Sequence, residues 1–486
     1  MKKYFIMTFG CQMNYADSEK VNMLLLQSGF MTTKDWRDAD LIIFNTCSVR
    51  KKGEDRVFGM YEEIQKEIER LEKLGTSKRF VIGITGCMVR KSGVNEKYFD
   101  REGKKRERAK KIEYVSEENA LLNNDDKLFP RMQNLDFVFR IEEVNYLNKI
   151  LSHIFNEQIG NDHKFDDYLK SKQLRENPSS ASVIIQKGCD NFCTFCIVPY
   201  TRDREISRDS TEIINEIKEA ANALATEVTL LGQNVNSYGK QFNKALWNEE
   251  KSAWNAGIGK SPFRKLLEEV TSVEGIKRIR FTSSNPHDMT ADILDAHFEL
   301  PNMCNYIHFA LQSGNDEILK KMNRRHKYEE FKRIVKYLRE KDPLFSISTD
   351  IIVGFSGETE EQFQDTVKAL EELEFDFVYI ARYSVRTGTI ASKIYCDDVT
   401  SEEKARRWHI LNGVLEKNVA KRNALMLGRI EEILISGIKG DEFVGRTRNF
   451  KEVQFPYNEN YKVGDLVNVK ITCLDKWVLK GEIVNN

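Results

Sequence analysis

The chain has 486 residues, 41% of them hydrophobic and 31% charged. That is the balance of a soluble globular protein with room for about three domains, and it excludes a fibrous or low-complexity chain. Lys and Arg number 75 and so do Asp and Glu, so overall charge cannot hold nucleic acid and any such contact has to be a local patch.

No apolar run approaches the ~20 residues of a membrane helix. The start, Met1-Lys2-Lys3 then Tyr4 to Phe9, is too short for a secretory signal. A cytoplasmic monomer is expected. Tyr4 to Phe9 reads as a buried strand, Ser18 to Gln27 as a helix, Leu41 to Phe44 as a strand and Glu54 to Leu74 as a long charged helix. Val81 to Ile84 and Leu135 to Phe139 read as further strands, and a helix follows near Val144 to Phe155. Strands alternating with helices predict a parallel-sheet α/β domain over 1–157.

Residues 101–111 carry seven basic side chains and acidic ones follow up to 126; the insertion reads as a solvated helix or as an RNA-contacting arm. Residues 160–180 are polar and read as a linker. Six strands are then predicted, near Ser182–Gln186, Glu227–Leu231, Arg278–Thr282, Tyr306–Ala310, Ser346–Val353 and Phe377–Tyr383. Helices such as Glu212–Ala225 and Tyr328–Lys341 separate them, so a full or partial (β/α)6-type barrel is expected over 175–410. Gln241 to Lys260, with Trp247 and Trp254, reads as a surface excursion. A helix over Ser401 to Arg429 carries seven Lys and Arg against three Glu. Short strands at Ile430–Ile435, Glu442–Arg446, Leu466–Thr472 and Trp477–Ile483 predict a small all-β barrel within 416–486.

Nine cysteines are too few for a disulfide framework, and clustered ones point to metal or catalysis. Cys189, Cys193 and Cys196 fall within eight residues of one loop directly after a predicted strand. Structural zinc would want a fourth Cys or His, and none is near. An iron–sulfur cubane on three thiolates would keep one iron open. Cys11, Cys47 and Cys87 are each compatible with a packed core thiol. Yet each follows a predicted strand, in YFIMTFGC, LIIFNTC and VIGITGC. The carboxyl ends of parallel strands form the ligand crevice, so the three thiols can meet there.

The loop C-x3-C-x2-C, with Phe195 before its last Cys, resembles the radical S-adenosylmethionine (SAM) enzymes. Gly10-Cys11-Gln12-Met13-Asn14, Asn45-Thr46-Cys47-Ser48-Val49-Arg50 and Gly86-Cys87-Met88 resemble the amino-terminal domain of the methylthiotransferases among them. The resemblance implies two [4Fe–4S] clusters, one on Cys189, Cys193 and Cys196 and one on Cys11, Cys47 and Cys87. It implies that Phe195 lies against the adenine of SAM. By position it carries SAM contacts to Gly232, Gln233 and Asn234 and to Gln312 and Ser313. Val353-Gly354-Phe355-Ser356-Gly357-Glu358-Thr359 falls at another strand end. The implied chemistry is reductive cleavage of SAM to a 5′-deoxyadenosyl radical and hydrogen abstraction from an inert C–H bond; the cofactors carry it, and no side-chain acid or base is called for.

Cys196-Ile197-Val198-Pro199-Tyr200-Thr201-Arg202 and Leu230-Leu231-Gly232-Gln233-Asn234-Val235-Asn236-Ser237-Tyr238 resemble the subfamily acting on N6-isopentenyladenosine at position 37 of tRNA. Two alternatives stay open: the same chemistry on threonylcarbamoyladenosine, and a non-catalytic RNA-binding protein with zinc at the loop cysteines. The chain departs from the family pattern at Ser356 and Thr387, where Pro is usual, and over Ile307 to Gln312. His308 could face the site or be a bonded structural histidine. Cys304, Cys396 and Cys473 match no motif and read as structural.

The carboxyl-terminal module, with Gly445-Arg446-Thr447-Arg448-Asn449, resembles the TRAM domain, an RNA-binding barrel. Over 426–486 nine basic residues meet nine acidic ones, so binding would rest on Arg446, Arg448 and the preceding basic helix. The implied partners are the anticodon loop of tRNA, an electron donor such as flavodoxin or ferredoxin, and iron–sulfur assembly proteins.

Overall fold

The computed structural model describes residues 1–47, 51–76, 78–89, 131–160, 168–171, 173–175 and 179–484; the charged insertion at 101–126 lies outside them. Strands β1 (Lys3–Phe9), β2 (Met31–Thr32), β3 (Leu41–Thr46), β4 (Val81–Gly86) and β5 (Phe137–Val138) form one sheet in the order β2-β1-β3-β4-β5. Every pairing in it is parallel. β3 reads LIIFNT and β4 reads VIGITG, and all twelve residues are buried, as a parallel sheet covered on both faces requires. Alternate residues feed two cores: Leu41 and Ile43 pack with helices 12–27 and 147–155, while Ile42 and Phe44 pack with helix 51–73.

Helix Gln12–Gln27 starts six residues ahead of the predicted Ser18. Its first turn lacks apolar periodicity; a capping box at Cys11 and Asn14 starts it, with Asn14 Oδ1 accepting from the Cys11 N–H at 3.2 Å. The predicted linker is also corrected in part. Tyr168 and Leu169 are buried in the amino-terminal core, and Lys20 Nζ donates to the Tyr168 carbonyl at 2.9 Å.

The central region holds β6 (Ser180–Ile184), the short ribbon β7 (Gln186–Lys187) with β8 (Ile206–Ser207), and β9 (Glu227–Leu231), β10 (Arg278–Phe281), β11 (Tyr306–His308), β12 (Ser346–Val353) and β13 (Phe377–Arg382). Two parallel three-stranded sheets, β6-β9-β10 and β11-β12-β13, are joined by parallel bridges such as Ser284 to Phe309. The result is a six-stranded partial barrel, open between β6 and β13 among the described residues. Residues 241–260 are mostly exposed, as a surface excursion is, but Trp247 and Trp254 anchor them. Both are buried, edge to face at 5.2 Å, on opposite ends of helix 247–255.

The last region is a closed barrel, β14 (Ile430–Lys439), β15 (Glu442–Arg446), β16 (Glu452–Pro456), β17 (Leu466–Asp475) and β18 (Val478–Ile483). The sequence predicted four strands; β16, EVQFP, ends on a proline that reads as a breaker. Its Val453 and Phe455 enter the barrel core.

This small barrel closes the amino-terminal end of the central one. Arg278 and Arg280, alternating with core residues on β10, are fully buried. Arg278 donates to the carbonyls of Glu432 (2.6 Å) and Arg446 (2.7 Å), and Arg280 to those of Thr447 and Arg448 (both 2.8 Å). Phe450 stacks on Tyr306 at 4.4 Å, and Lys451 pairs with buried Asp376 at 2.8 Å.

Candidate functional site

β1, β3 and β4 are side-by-side strands, and Cys11, Cys47 and Cys87 follow their ends by one or two residues. The sheet ladders run on into two of the cysteines: Cys47 N–H donates to Phe9 O at 2.8 Å and Cys87 N–H to Thr46 O at 2.7 Å. Gly86 is required there. Its φ is +93°, and a Cβ would lie 2.4 Å from Thr46 O. The two asparagines of the motifs brace one another: Asn14 Nδ2 donates to Asn45 Oδ1 at 3.1 Å, and Asn45 Nδ2 returns to Asn14 O at 2.7 Å.

The thiols of Cys11 and Cys87 both bond to that of Cys47, so the convergence expected from strand ends is present. Bonding to Cys47 draws Cys11 down to about 7. The same bond, opposed by burial and helped by Arg202, draws Cys87 down to about 6. Cys47 is raised in return.

The second triad sits on the loop after β7, at the carboxyl end of the barrel strands, where barrel enzymes build their sites. The loop is clamped from the far side of the barrel. Thr194 N–H and Oγ1 donate to the carbonyls of Met322 and Lys321 at 3.0 and 2.9 Å. Asn323 Nδ2 donates to the carbonyls of Asn191 and Phe192 at 3.1 and 3.0 Å. Burial raises the Cys189 thiol, and burial with the charge of Cys193 pushes Cys196 up to about 12. Arg202, six residues after Cys196, reaches Cys87 Sγ with its Nε at 3.4 Å, so the segment leaving the loop triad touches the strand-end triad across the domain boundary.

Among the described residues no group of three or more His, Cys, Asp and Glu side chains is arranged to hold a single metal ion. A cubane makes a different demand, because its thiolates bind different irons and their sulfurs take N–H donors. Both triads have such donors. Asn191 Nδ2 reaches Cys189 Sγ at 3.5 Å, Arg324 Nη1 reaches Cys193 Sγ at 3.5 Å, and Arg202 Nε reaches Cys87 Sγ at 3.4 Å. The donor set fits a cluster at each place.

The proposed SAM contacts divide. Phe195 and Gln312 line one cavity together with Cys196, Asp350, Tyr379 and Arg386. Gln312 adopts φ +77°, rare for a side-chain-bearing residue. Gly232, Gln233, Asn234 and Ser313 are not in that lining. Gln233 has a buried Oε1 without a hydrogen-bond partner, an acceptor suited to an ammonium group. Asn234 is committed to Ser237 Oγ (2.9 Å) and Asp288 Oδ2 (2.8 Å). Ser313 Oγ accepts from Asn315 N–H at 3.2 Å within its turn. His308 is bonded at both ring nitrogens, to Ser348 Oγ at 2.8 Å and Asp350 Oδ2 at 2.9 Å, and so meets the cavity through Asp350. Ser356 is buried at the turn where Pro is usual.

The carboxyl-terminal arginines lie at the other end of the barrel from the cysteine loop. Arg448 Nη2 donates to the carbonyls of Pro301 and Met303, both at 2.8 Å, so its guanidinium docks the two barrels together. Arg446 is exposed, with its guanidinium 4.3 Å from the centre of the Phe450 ring. The basic helix is mostly neutralised. Lys404, Arg406, Arg407, Lys421 and Arg422 pair with Asp397, Glu403, Glu358, Glu374 and Asp376, which leaves Lys417 exposed. Cys304 is buried in the core, whereas Cys396 and Cys473 are exposed.

Sequence reasoning missed Arg202, Asp17 and Arg324. Arg202 stands inside a motif that resembled the subfamily, and no spacing rule connects it to Cys87. Asp17 is 0% exposed and pairs with Arg202, yet it reads as an ordinary polar helix residue.

Three family models match the chain: the Radical SAM superfamily over 183–370, the uncharacterized protein family UPF0004 over 3–105 and the TRAM domain over 424–484. Curated relatives span nearly its whole length. A tRNA-2-methylthio-N(6)-dimethylallyladenosine synthase of Clostridium botulinum (strain Okra / Type B1) is 37% identical over 99% of this chain and 96% of its own. One of Caldicellulosiruptor saccharolyticus is 38% identical over 99% of this chain and 93% of its own. Among solved structures, a radical SAM methyltransferase from Kitasatospora setae aligns with TM-score 0.43 at 13% identity, over 78% of this chain and 73% of its own.

Proposed function

The chain belongs to the tRNA-2-methylthio-N(6)-dimethylallyladenosine synthase family of radical SAM methylthiotransferases, and from that membership we propose that it converts N6-isopentenyladenosine at position 37 of tRNA to its 2-methylthio derivative. The observation that carries this reading is the pair of cysteine triads, one on a barrel loop and one on three neighbouring strand ends, linked by Arg202 on Cys87 at 3.4 Å. When bound, a [4Fe–4S] cluster on Cys189, Cys193 and Cys196 supplies the electron that cleaves SAM to a 5′-deoxyadenosyl radical, and a second on Cys11, Cys47 and Cys87 supplies the site for sulfur.

The chain's own residues hold and screen. Phe195 packs against Ile318, Met322, Phe355 and Tyr383, which fixes its ring beside the cavity for adenine. Gln233 offers its unpartnered carbonyl oxygen to the SAM ammonium. Asp350, Tyr379 and Arg386 line the same cavity and face the incoming nucleoside. Arg386 also pairs with Glu54 of the amino-terminal helix at 2.6 Å, tying the cavity wall to the domain of the other triad. An electron donor of the flavodoxin or ferredoxin kind, iron–sulfur assembly proteins and a cytoplasmic setting belong to this reading. Among the described residues no helix is long and apolar enough to cross a membrane.

Nucleoside mass spectrometry of tRNA from a strain with and without the gene tests the reading. The 2-methylthio-isopentenyl nucleoside should vanish on deletion. Loss of the threonylcarbamoyl counterpart in its place would transfer the chain to the other substrate. For RNA contact, Arg446→Ala should weaken tRNA binding and lower the salt slope by about one. Arg448→Ala should lower the melting temperature and leave that slope alone.

A further inference from the structure

Arg202 closes the short helix Val198–Thr201, which follows Cys196 directly. Its side chain leaves the central domain and is 3% exposed in the amino-terminal one. There it makes two contacts. Nε donates to Cys87 Sγ at 3.4 Å, and Nη2 bonds to Asp17. Asp17 belongs to the helix that Cys11 caps, and its other oxygen accepts from Tyr168 OH. One guanidinium therefore joins the Cys11 helix, the Cys87 sulfur and the segment leaving the loop triad. The segment is held a second time, by Arg140 Nη2 on Asp203 Oδ2 at 3.1 Å and on the Thr201 carbonyl at 3.4 Å.

The chemistry of the group matters. A guanidinium stays charged and offers several N–H donors in a planar fork, so it can hold a carboxylate and a sulfur at once. A buried cation bonded to a ligating sulfur favours the more negative, reduced state of a cluster and keeps the ligand in place.

We propose that Arg202, oriented by Asp17, is a positioning residue for the cluster on Cys11, Cys47 and Cys87: it raises that cluster's reduction potential, secures its iron and fixes it against the radical triad. This rests on the cluster reading of those cysteines.

The test uses the full chain with Cys189, Cys193 and Cys196 changed together to Ala, so that only the amino-terminal site is read. Iron and sulfide per chain, the rate of iron release to a chelator and the midpoint potential are measured after anaerobic reconstitution. The double variant Arg202→Gln/Asp17→Asn removes both charges and leaves no buried ion unpaired. It should release iron about tenfold faster or more, the usual scale for an outer partner of a metal ligand. Its potential should move to more negative values. Arg202→Lys keeps the charge but not the fork; it should hold the potential nearer the parent's and still release iron faster. Unchanged release and unchanged potential in both variants would overturn the role of Arg202. A parent protein that takes up no iron would overturn the cluster reading itself, and the role of Arg202 with it.

Discussion

The two cysteine triads reach similar chemistry by different routes. Cys189, Cys193 and Cys196 are neighbours in sequence, and the loop that carries them is shaped by contacts to Lys321, Met322 and Asn323. Cys11, Cys47 and Cys87 are spread over 77 residues, and strand order alone makes them neighbours. The first arrangement concentrates its information in eight residues and needs a clamp to hold a shape. The second is held by the sheet itself, because two of its cysteines continue the ladder and the third caps a helix, and it depends on the integrity of the whole domain.

That contrast can be broken most severely by removing each triad. Changing Cys189, Cys193 and Cys196 to Ala should abolish 5′-deoxyadenosine formation and all product. Iron should fall by about half from the roughly eight per chain of two cubanes. Changing Cys11, Cys47 and Cys87 should abolish thiolation but spare SAM cleavage; loss of both activities in a folded variant would end the idea of separate roles.

Smaller changes sharpen the comparison. Gly86→Ala forces a Cβ to within 2.4 Å of Thr46 O at φ +93°. Since it strains the sheet end itself, it should cost about 1–3 kcal/mol of global stability, read as a lower denaturation midpoint, and reduce iron at the amino-terminal triad. Asn323→Gly removes the side-chain half of the clamp and leaves the Thr194 bonds, while tolerating the local φ of +57°. It should cost only about 0.5–1.5 kcal/mol. Its signature should be faster iron loss from the loop triad at a nearly unchanged denaturation midpoint. An equal midpoint shift from both variants would erase the distinction between a sheet-borne and a loop-borne site.

The same distinction explains what was legible in the sequence. β9 and β12 lie at their predicted bounds, Glu227–Leu231 and Ser346–Val353, because short stretches rich in Val, Ile, Leu and Thr stand between helical patterns there. The loop triad is readable from spacing alone. The strand-end triad is readable once parallel strands are inferred, since their carboxyl ends must share an edge. Arg202 and Asp17 were not readable, because an ion pair 185 residues apart leaves no local pattern. The docking role of Arg448 was hidden for a related reason. An arginine near an aromatic looks the same whether it meets phosphate or backbone carbonyls, and the carbonyls of Pro301 and Met303 are invisible until the barrels are docked.

The seating of the loop 446–451 in the amino-terminal mouth of the central barrel makes that loop a cork. Withdrawing it would take the carbonyls of Arg446, Thr447 and Arg448 from Arg278 and Arg280, leave Arg280 with Glu227 alone, and strip Asp376 of its lysine partner. A buried donor that loses its acceptor costs about 1–3 kcal/mol, and more when it is charged. Shortening the chain ahead of residue 426 is thus an act of demolition on the SAM-binding half, and a grafted substitute barrel would have to bring its own stopper.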